Sequence, residues 1–485
     1  MTLQEVLSTR PSPGQPRAYE FPRFERTVLP SGLQVLAVNV PGRALVAANL
    51  IVRRGAVDEP ADVAGATILA ARAMTEGTRH YPGVELIEAA ERLGATLHVD
   101  AGWDAFMVTV DVAATRVGAA LELLAELAER PTFPEPDVAR LRDERLNDLL
   151  QVKADPRRRV EQAFAATIYT PESPYSRSAG GDEATVPRLT PDVLRCVHGS
   201  ILDPRQAAVV IGGDLFGIDI AQMVEAVLGS FGAGSGARTG GPTGAEQPAG
   251  AVAFAPPPPR ADSAVDHPIV RFYHRPGAVQ TELRIGHIGL ARRVPDFHAV
   301  QVMAAILGGL FNSRLQMNLR EEKGYTYGIG AGFDMRRGAG PFSVRTAVQT
   351  AATVPAIAES LSELRRIRET MVTAAELAAA RDFLVGVFPL RFETPGAVVG
   401  TLGGLFIHEL PDEELARYRQ AIEEVTIDGV QKAAQDHIDP ARLAIVAVGD
   451  ADAVGEELRA AGFGELEVIT EEVVAEAGES EEEET

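Results

Sequence analysis

Histidines, cysteines and closely spaced carboxylates are the side chains that most readily build a metal or nucleophilic centre, and here they are sparse. The 485 residues contain nine histidines. None stands in H-x-x-E-H or H-E-x-x-H, the spacings that put two imidazoles one helical turn apart on a zinc ion, with a glutamate beside the metal-bound water. His408-Glu409 begins the second pattern but lacks the returning histidine. The scattered histidines, His98 and His437 among them, read as core or surface residues. Cys196 is the single cysteine, so internal disulfides and cysteine-based metal clusters are excluded, and a reducing compartment is expected. Acidic residues outnumber basic ones by 68 to 46, a formal charge of −22. That balance argues against nucleic acid, whose affinity is built from lysine and arginine contacts to phosphate. It is compatible with basic peptides.

The elements that would position any chemistry fall into two copies of one unit. A chain this long exceeds a single core. The stretch from about Gly232 to Val265 is rich in Gly, Pro, Ala and Ser and contains Pro256-Pro257-Pro258-Pro259; it reads as a linker. Thr190–Asp214 lies on Thr426–Asp450 without a gap at an offset of 236, and eight of 25 positions are identical. The shared positions include the Thr-x-Asp starts (Thr190/Thr426, Asp192/Asp428), the Asp-Pro pairs (Asp203-Pro204, Asp439-Pro440) and the closing Gly-Asp pairs (Gly213-Asp214, Gly449-Asp450). Each copy predicts a capped helix, a turn and a buried strand. A weaker echo pairs Asp137–Asp143 with Glu376–Asp382. Phe106, Val108, Val110 and Val112 alternate with polar or smaller residues, as do Phe342, Val344, Thr346 and Val348; both runs predict half-buried strands. Helical stretches follow each, at Thr115–Glu129 and Thr353–Met371. The expected boundaries are an extension over 1–21, a first domain over 22–232, a linker over 233–265, a second domain over 266–468 and an acidic tail over 469–485. Eight glutamates and no basic residue occupy Glu471–Thr485, the composition of a solvated, disordered tail. No apolar run approaches the roughly eighteen residues of a membrane span. Met1–Pro30 lacks the pattern of a secretory signal, so a cytoplasmic location is expected.

Three segments resemble the M16 peptidases, the pitrilysin and mitochondrial-processing-peptidase family. They are Leu29–Val35 (LPSGLQV), Gly65–Thr78 (GATILAARAMTEGT) and Leu307–Tyr327 (LGGLFNSRLQMNLREEKGYTY), the last being the most specific. With the repeat and linker, the resemblance covers about residues 22 to 465. It implies an α+β fold of two duplicated M16-type (LuxS/metallopeptidase-like) domains, each a sheet with helices packed on it. In active members the helix matching Gly65–Thr78 carries H-x-x-E-H. Here its three positions fall on Ile68, Ala71 and Arg72, two without a lone pair and one whose guanidinium repels a cation. The third ligand, on a later helix, falls near Gln151, with Asp148 the nearest carboxylate. The resemblance thus implies no metal in this chain.

The second half keeps its signature. Leu307–Leu319 is expected as a helix beginning at Gly308-Gly309 and closed by Gly324, with Tyr325, Thr326 and Tyr327 opening a strand. The family's arginine and tyrosine of this motif match Arg320 and Tyr327, implying substrate binding and oxyanion stabilisation; Tyr325 is the rival for the tyrosine role. Apart from the resemblance, an arginine near a helix C-terminus and a tyrosine in a strand are ordinary. The expectation is a non-catalytic subunit acting in trans: zinc in an M16 partner, a heterodimer enclosing an extended peptide, and a homodimer when alone. The alternatives are a scaffold or peptide-binding relative, like the core proteins of respiratory complexes, and a self-contained enzyme using a different metal site or no metal.

Overall fold

The computed structural model describes residues 18–232 and 261–470. The proline run and the Glu471–Thr485 tail lie outside the described residues. Two six-stranded sheets share one connectivity in five of their six strands. The first contains β1 (Phe24–Val28), β2 (Gln34–Asn39), β3 (Leu45–Val52), β4 (Thr96–Ala101), β5 (Phe106–Ala113) and β6 (Ala207–Gly213), in the order β1-β2-β6-β3-β5-β4. The second contains β7 (Ile269–His274), β8 (Gln280–Ile288), β9 (Ile329–Phe333), β10 (Pro341–Gln349), β11 (Ala444–Gly449) and β12 (Glu465–Thr470), in the order β12-β7-β11-β8-β10-β9. β2 and β6 run parallel, as do β7 and β11, and the next three pairings in each sheet are antiparallel. The sheets differ at the outer strand: β1 is antiparallel to β2, whereas β12 is parallel to β7.

The repeat seen in the sequence is a structural repeat. Six helices concern the site and the joining of the halves: α1 (Ala66–Met74), α2 (Glu135–Ala154), α3 (Pro156–Ile168), α4 (Pro191–Ile201), α5 (Pro395–Ile407) and α6 (Ile427–His437). α4 begins where the Thr190 hydroxyl accepts from the Val193 N–H, and α6 where Thr426 accepts from Gly429. Such caps satisfy a helix-end donor and contribute about 1 kcal/mol each. Asp203 and Asp439 then accept from the N–H two residues on, forming the two Asp-Pro turns. The strands that follow, β6 and β11, are buried along their whole length.

The helix cover is exchanged between the halves. α3, from the first half, packs on β8 and β11, and α5, from the second, packs on β3 and β6. Val160 and Phe164 share a core with Ala444, Val446 and Val448; Val398, Leu402 and Phe406 share one with Leu36, Ile51 and Val210. Two glycines permit the close approach of α5. A Cβ on Gly403 would lie 2.5 Å from the Ile51 Cδ1, and one on Gly212 would lie 2.9 Å from the Val399 Cγ2. A buried ion pair adds a polar joint: the Arg337 guanidinium donates to both Asp58 oxygens at 3.0 and 2.8 Å, and its backbone N–H donates to Asp104 at 2.8 Å. Among the described residues, no helix is long and apolar enough to cross a membrane.

Candidate functional site

α1 follows β3 and starts at Gly65, whose φ of 94° is left-handed; a Cβ there would meet the Gly180 carbonyl at 2.6 Å. Glu59 closes the helix start by accepting from the N–H groups of Gly65 and Thr67. Burial pushes the Glu59 carboxyl up to about 7, against the opposing pull of its Thr67 and Gly65 hydrogen bonds and of Arg177. Ile68 and Ala71 face the core, Ala71 almost fully covered, while Arg72 stands at the surface. The residue of α2 that meets Arg72 is Glu144, at 2.9 Å. Arg140 joins the pair, reaching Glu144 at 2.7 Å and Glu76 at 2.8 Å. Gln151, seven positions beyond Glu144, is exposed and makes no side-chain hydrogen bond to α1 among the described residues. Asp148 is committed to Arg145 and, at 2.6 Å, to Arg158. Burial pushes its carboxyl up, but the two arginines prevail and hold it below its ordinary value.

The residues between α1 and α2 therefore do not fit zinc. A metal needs lone pairs, and the surface between these helices is bridged by guanidinium groups. Among the described residues the single group of three metal-type side chains within ligating reach is His274, Asp450 and Asp452. It serves the backbone: Asp450 accepts from the N–H groups of Gly277 and Asp452, and the His274 Nδ1 accepts from Ala451.

The Leu307–Tyr327 segment departs from the single expected helix. The helix starting at Phe297 widens into π turns over Ala305–Gly309, breaks at Leu310, whose backbone is extended, and resumes as a π helix over Gln316–Glu322. Gly308 lies so close to β9 that a Cβ would sit 2.3 Å from the Ala331 nitrogen. Arg314 pins the second piece through two bonds to Glu376, at 2.6 and 3.2 Å. Gly324, with φ of 68°, turns the chain as expected. The strand opens later than expected, at Ile329, because the Thr326 hydroxyl takes part in a local turn. It donates to the Ala347 carbonyl at 2.7 Å and accepts from the Gly328 N–H at 3.0 Å. Tyr325 packs against the core, and Tyr327 points outward with 95% of its surface exposed. Arg320 lies over the Phe311 ring at 4.7 Å and, among the described residues, forms its one ion pair with Glu321, at 3.6 Å. No hydrogen bond joins Arg320 to Tyr327.

Residues 34–179 match the family model described as insulinase (peptidase family M16), and residues 188–384 match that of the peptidase M16 inactive domain. The chain belongs to the M16 family. An uncharacterized zinc protease of Mycobacterium tuberculosis (strain H37Rv) is 24% identical over 431 residues, covering 88% of this chain and 93% of that one. A protein of Helicobacter pylori named as a non-peptidase homolog is 22% identical over 351 residues, 72% of this chain and 76% of that one. Two solved structures share the fold. A peptidase M16 inactive domain from Pseudomonas fluorescens superposes with a TM-score of 0.76 at 22% identity, over 88% of this chain and 98% of that one. A protease from Helicobacter pylori gives 0.78 at 16% identity, over 89% and 100%. No H-x-x-E-H occurs anywhere in the sequence of this M16 chain.

Proposed function

We propose that the chain is the zinc-less subunit of a heteromeric M16 peptidase, lending Arg320 and Tyr327 to a zinc-bearing partner that cleaves peptides. The exposure of Tyr327 carries this reading: a tyrosine left 95% uncovered, in a signature whose Phe311 is also 68% exposed, is available to another molecule. The partner supplies the metal and the activated water. In this chain the Arg320 guanidinium offers planar donors to the peptide backbone, held in place by stacking on Phe311. The Tyr327 hydroxyl donates to the carbonyl oxygen as it gains charge. β9 begins two residues beyond Tyr327 and, among the described residues, pairs with β10 alone. An extended peptide added at that sheet edge would run past the tyrosine. The partnership is a cytoplasmic heterodimer, with a homodimer forming when the chain is alone.

A scaffold or peptide-binding role is the second reading, favoured by the ion pairs that fill the space between α1 and α2. The deciding experiment mixes the chain with the zinc-bearing M16 protein of its own genome and follows cleavage of a quenched peptide, each protein alone serving as control. Activity is expected only in the mixture, falling about 10²- to 10³-fold with Arg320→Ala or Tyr327→Phe. A mixture no faster than the zinc protein alone would leave the scaffold reading.

A further inference from the structure

A cavity of about 430 Å³ opens between the halves, walled by α2 and α3 on one side and by β10 and the β9–β10 turn on the other. Its size is that of a small-ligand pocket. Five arginines line it against two acids, in a chain where acids predominate. The arginines are unequally satisfied. Arg336 is paired with Asp334 at 2.7 Å and lies over the Trp103 ring at 4.9 Å. Arg145 is spent on Asp148, the Gly180 carbonyl and the Ser178 hydroxyl. Arg158 shares that same Asp148, so one carboxylate serves two guanidinium groups. Arg345 is exposed at the cavity and has no ion pair or side-chain hydrogen bond among the described residues. Pro341, Ser343 and Arg345 alternate along β10 and line one wall together.

The remainder of the lining is apolar. Trp103, Leu149, Val152, Phe164 and Ala165 stand beside the arginines. A site that joins an unpaired guanidinium to an apolar wall selects a ligand carrying a carboxylate next to a hydrophobic group. A phosphate dianion satisfies the first demand alone. We infer that this cavity binds the carboxylate of a short peptide, with Arg345 and the spare donors of Arg158 forming the planar clamp and the adjoining side chain lying against Trp103. The carboxylate is that of the C-terminus or of an acidic side chain. The inference needs neither a partner subunit nor Arg320, so a failed mixing assay leaves it standing.

Trp103 is the sole tryptophan, which gives the pocket its own optical signal. The test titrates the full chain with three probes: acetyl-Ala-Ala-Leu as free acid, the same peptide as C-terminal amide, and acetyl-Glu-Ala-Leu amide. Tryptophan emission and calorimetry are both followed. Saturable binding of the free acid is expected, with a change in Trp103 emission and affinity at least about tenfold above the first amide. If the glutamate amide matches the free acid, the pocket accepts side-chain carboxylates; if it matches the first amide, the pocket reads the terminus. Arg345→Ala should weaken binding about tenfold while leaving circular dichroism and the unfolding midpoint unchanged, and Arg345→Lys should restore part of the loss. The inference is overturned if neither carboxylate probe saturates in the millimolar range, if the first amide binds as well as both, or if Arg345→Ala binds like the unaltered chain.

Discussion

After its third strand the first half of the molecule sends out α1, whose Arg72 is tied to Glu144 and, through it, to Arg140. At the equivalent place the second half sends out a helix that breaks at Leu310 and leads to Arg320 and Tyr327, which have little to hold them within the chain. The sheets beneath are matched strand for strand apart from their outer members. Their divergence therefore lies in side chains and helix ends rather than in architecture. One unit has neutralised its polar surface internally, while the other has kept polar and aromatic groups uncovered. A pair of copies can thus retain a scaffold with a single demanding surface between them.

The most forceful way to separate the halves is at their polar joint. Arg337→Ala leaves the Asp58 and Asp104 carboxylates facing each other without their cation; Asp58 is 4% exposed. Removing one partner of a buried pair costs about 3–5 kcal/mol, to be read as a lowered urea midpoint. A midpoint unchanged from the parent would mean that this ion pair contributes nothing measurable to holding the halves together.

A subtler separation uses pH. Glu59, beneath α1, takes up its proton at about 7 in the fold against 4.5 ordinarily. A raised folded value means its contribution to stability is complete below about pH 4.5 and shrinks as pH rises through 7, by up to about 3 kcal/mol. Glu59→Gln should therefore flatten the loss of stability across that window, relative to the parent measured alongside it. Parallel curves for the two proteins would show that the carboxyl ionises freely. The smallest effect belongs to the Arg72–Glu144 pair, whose side chains are 46% and 44% exposed. Arg72→Ala should cost less than about 1 kcal/mol. A loss of several kcal/mol would make the pair a structural clamp rather than a surface contact.

The duplication was legible because its signals are local: a threonine cap, an Asp-Pro turn and a run of buried residues repeat at one offset. The alternating strands β5 and β10 were legible for the same reason, since a half-buried strand announces its period. The exchange of α3 and α5 was not, because it depends on shape across hundreds of residues, such as the fit of Gly403 against Ile51. That Ile68 and Ala71 offer no lone pair, and Arg72 a cation, follows from residue type alone. The partner of Arg72 does not, because Glu144 lies on another helix with no sequence signal linking the two. The break at Leu310 was hidden by a continuous apolar pattern, and the delayed strand by the bonding of Thr326, a residue equally at home in a strand. The unpaired state of Arg345 depends on what surrounds it in space. Its alternation with Ser343 was readable, but its lack of a partner was not.

The exchanged helices also impose a schedule on the ribosome. The first sheet is complete in sequence at Gly213, yet the helix that covers its face ends at Ile407, nearly two hundred residues later. At about 5–20 residues per second, the nascent first half waits roughly 10 to 40 seconds with β3 and β6 uncovered. A first half made alone is expected to be captured by chaperones or to aggregate, and one made with the second half supplied as a separate chain to be rescued.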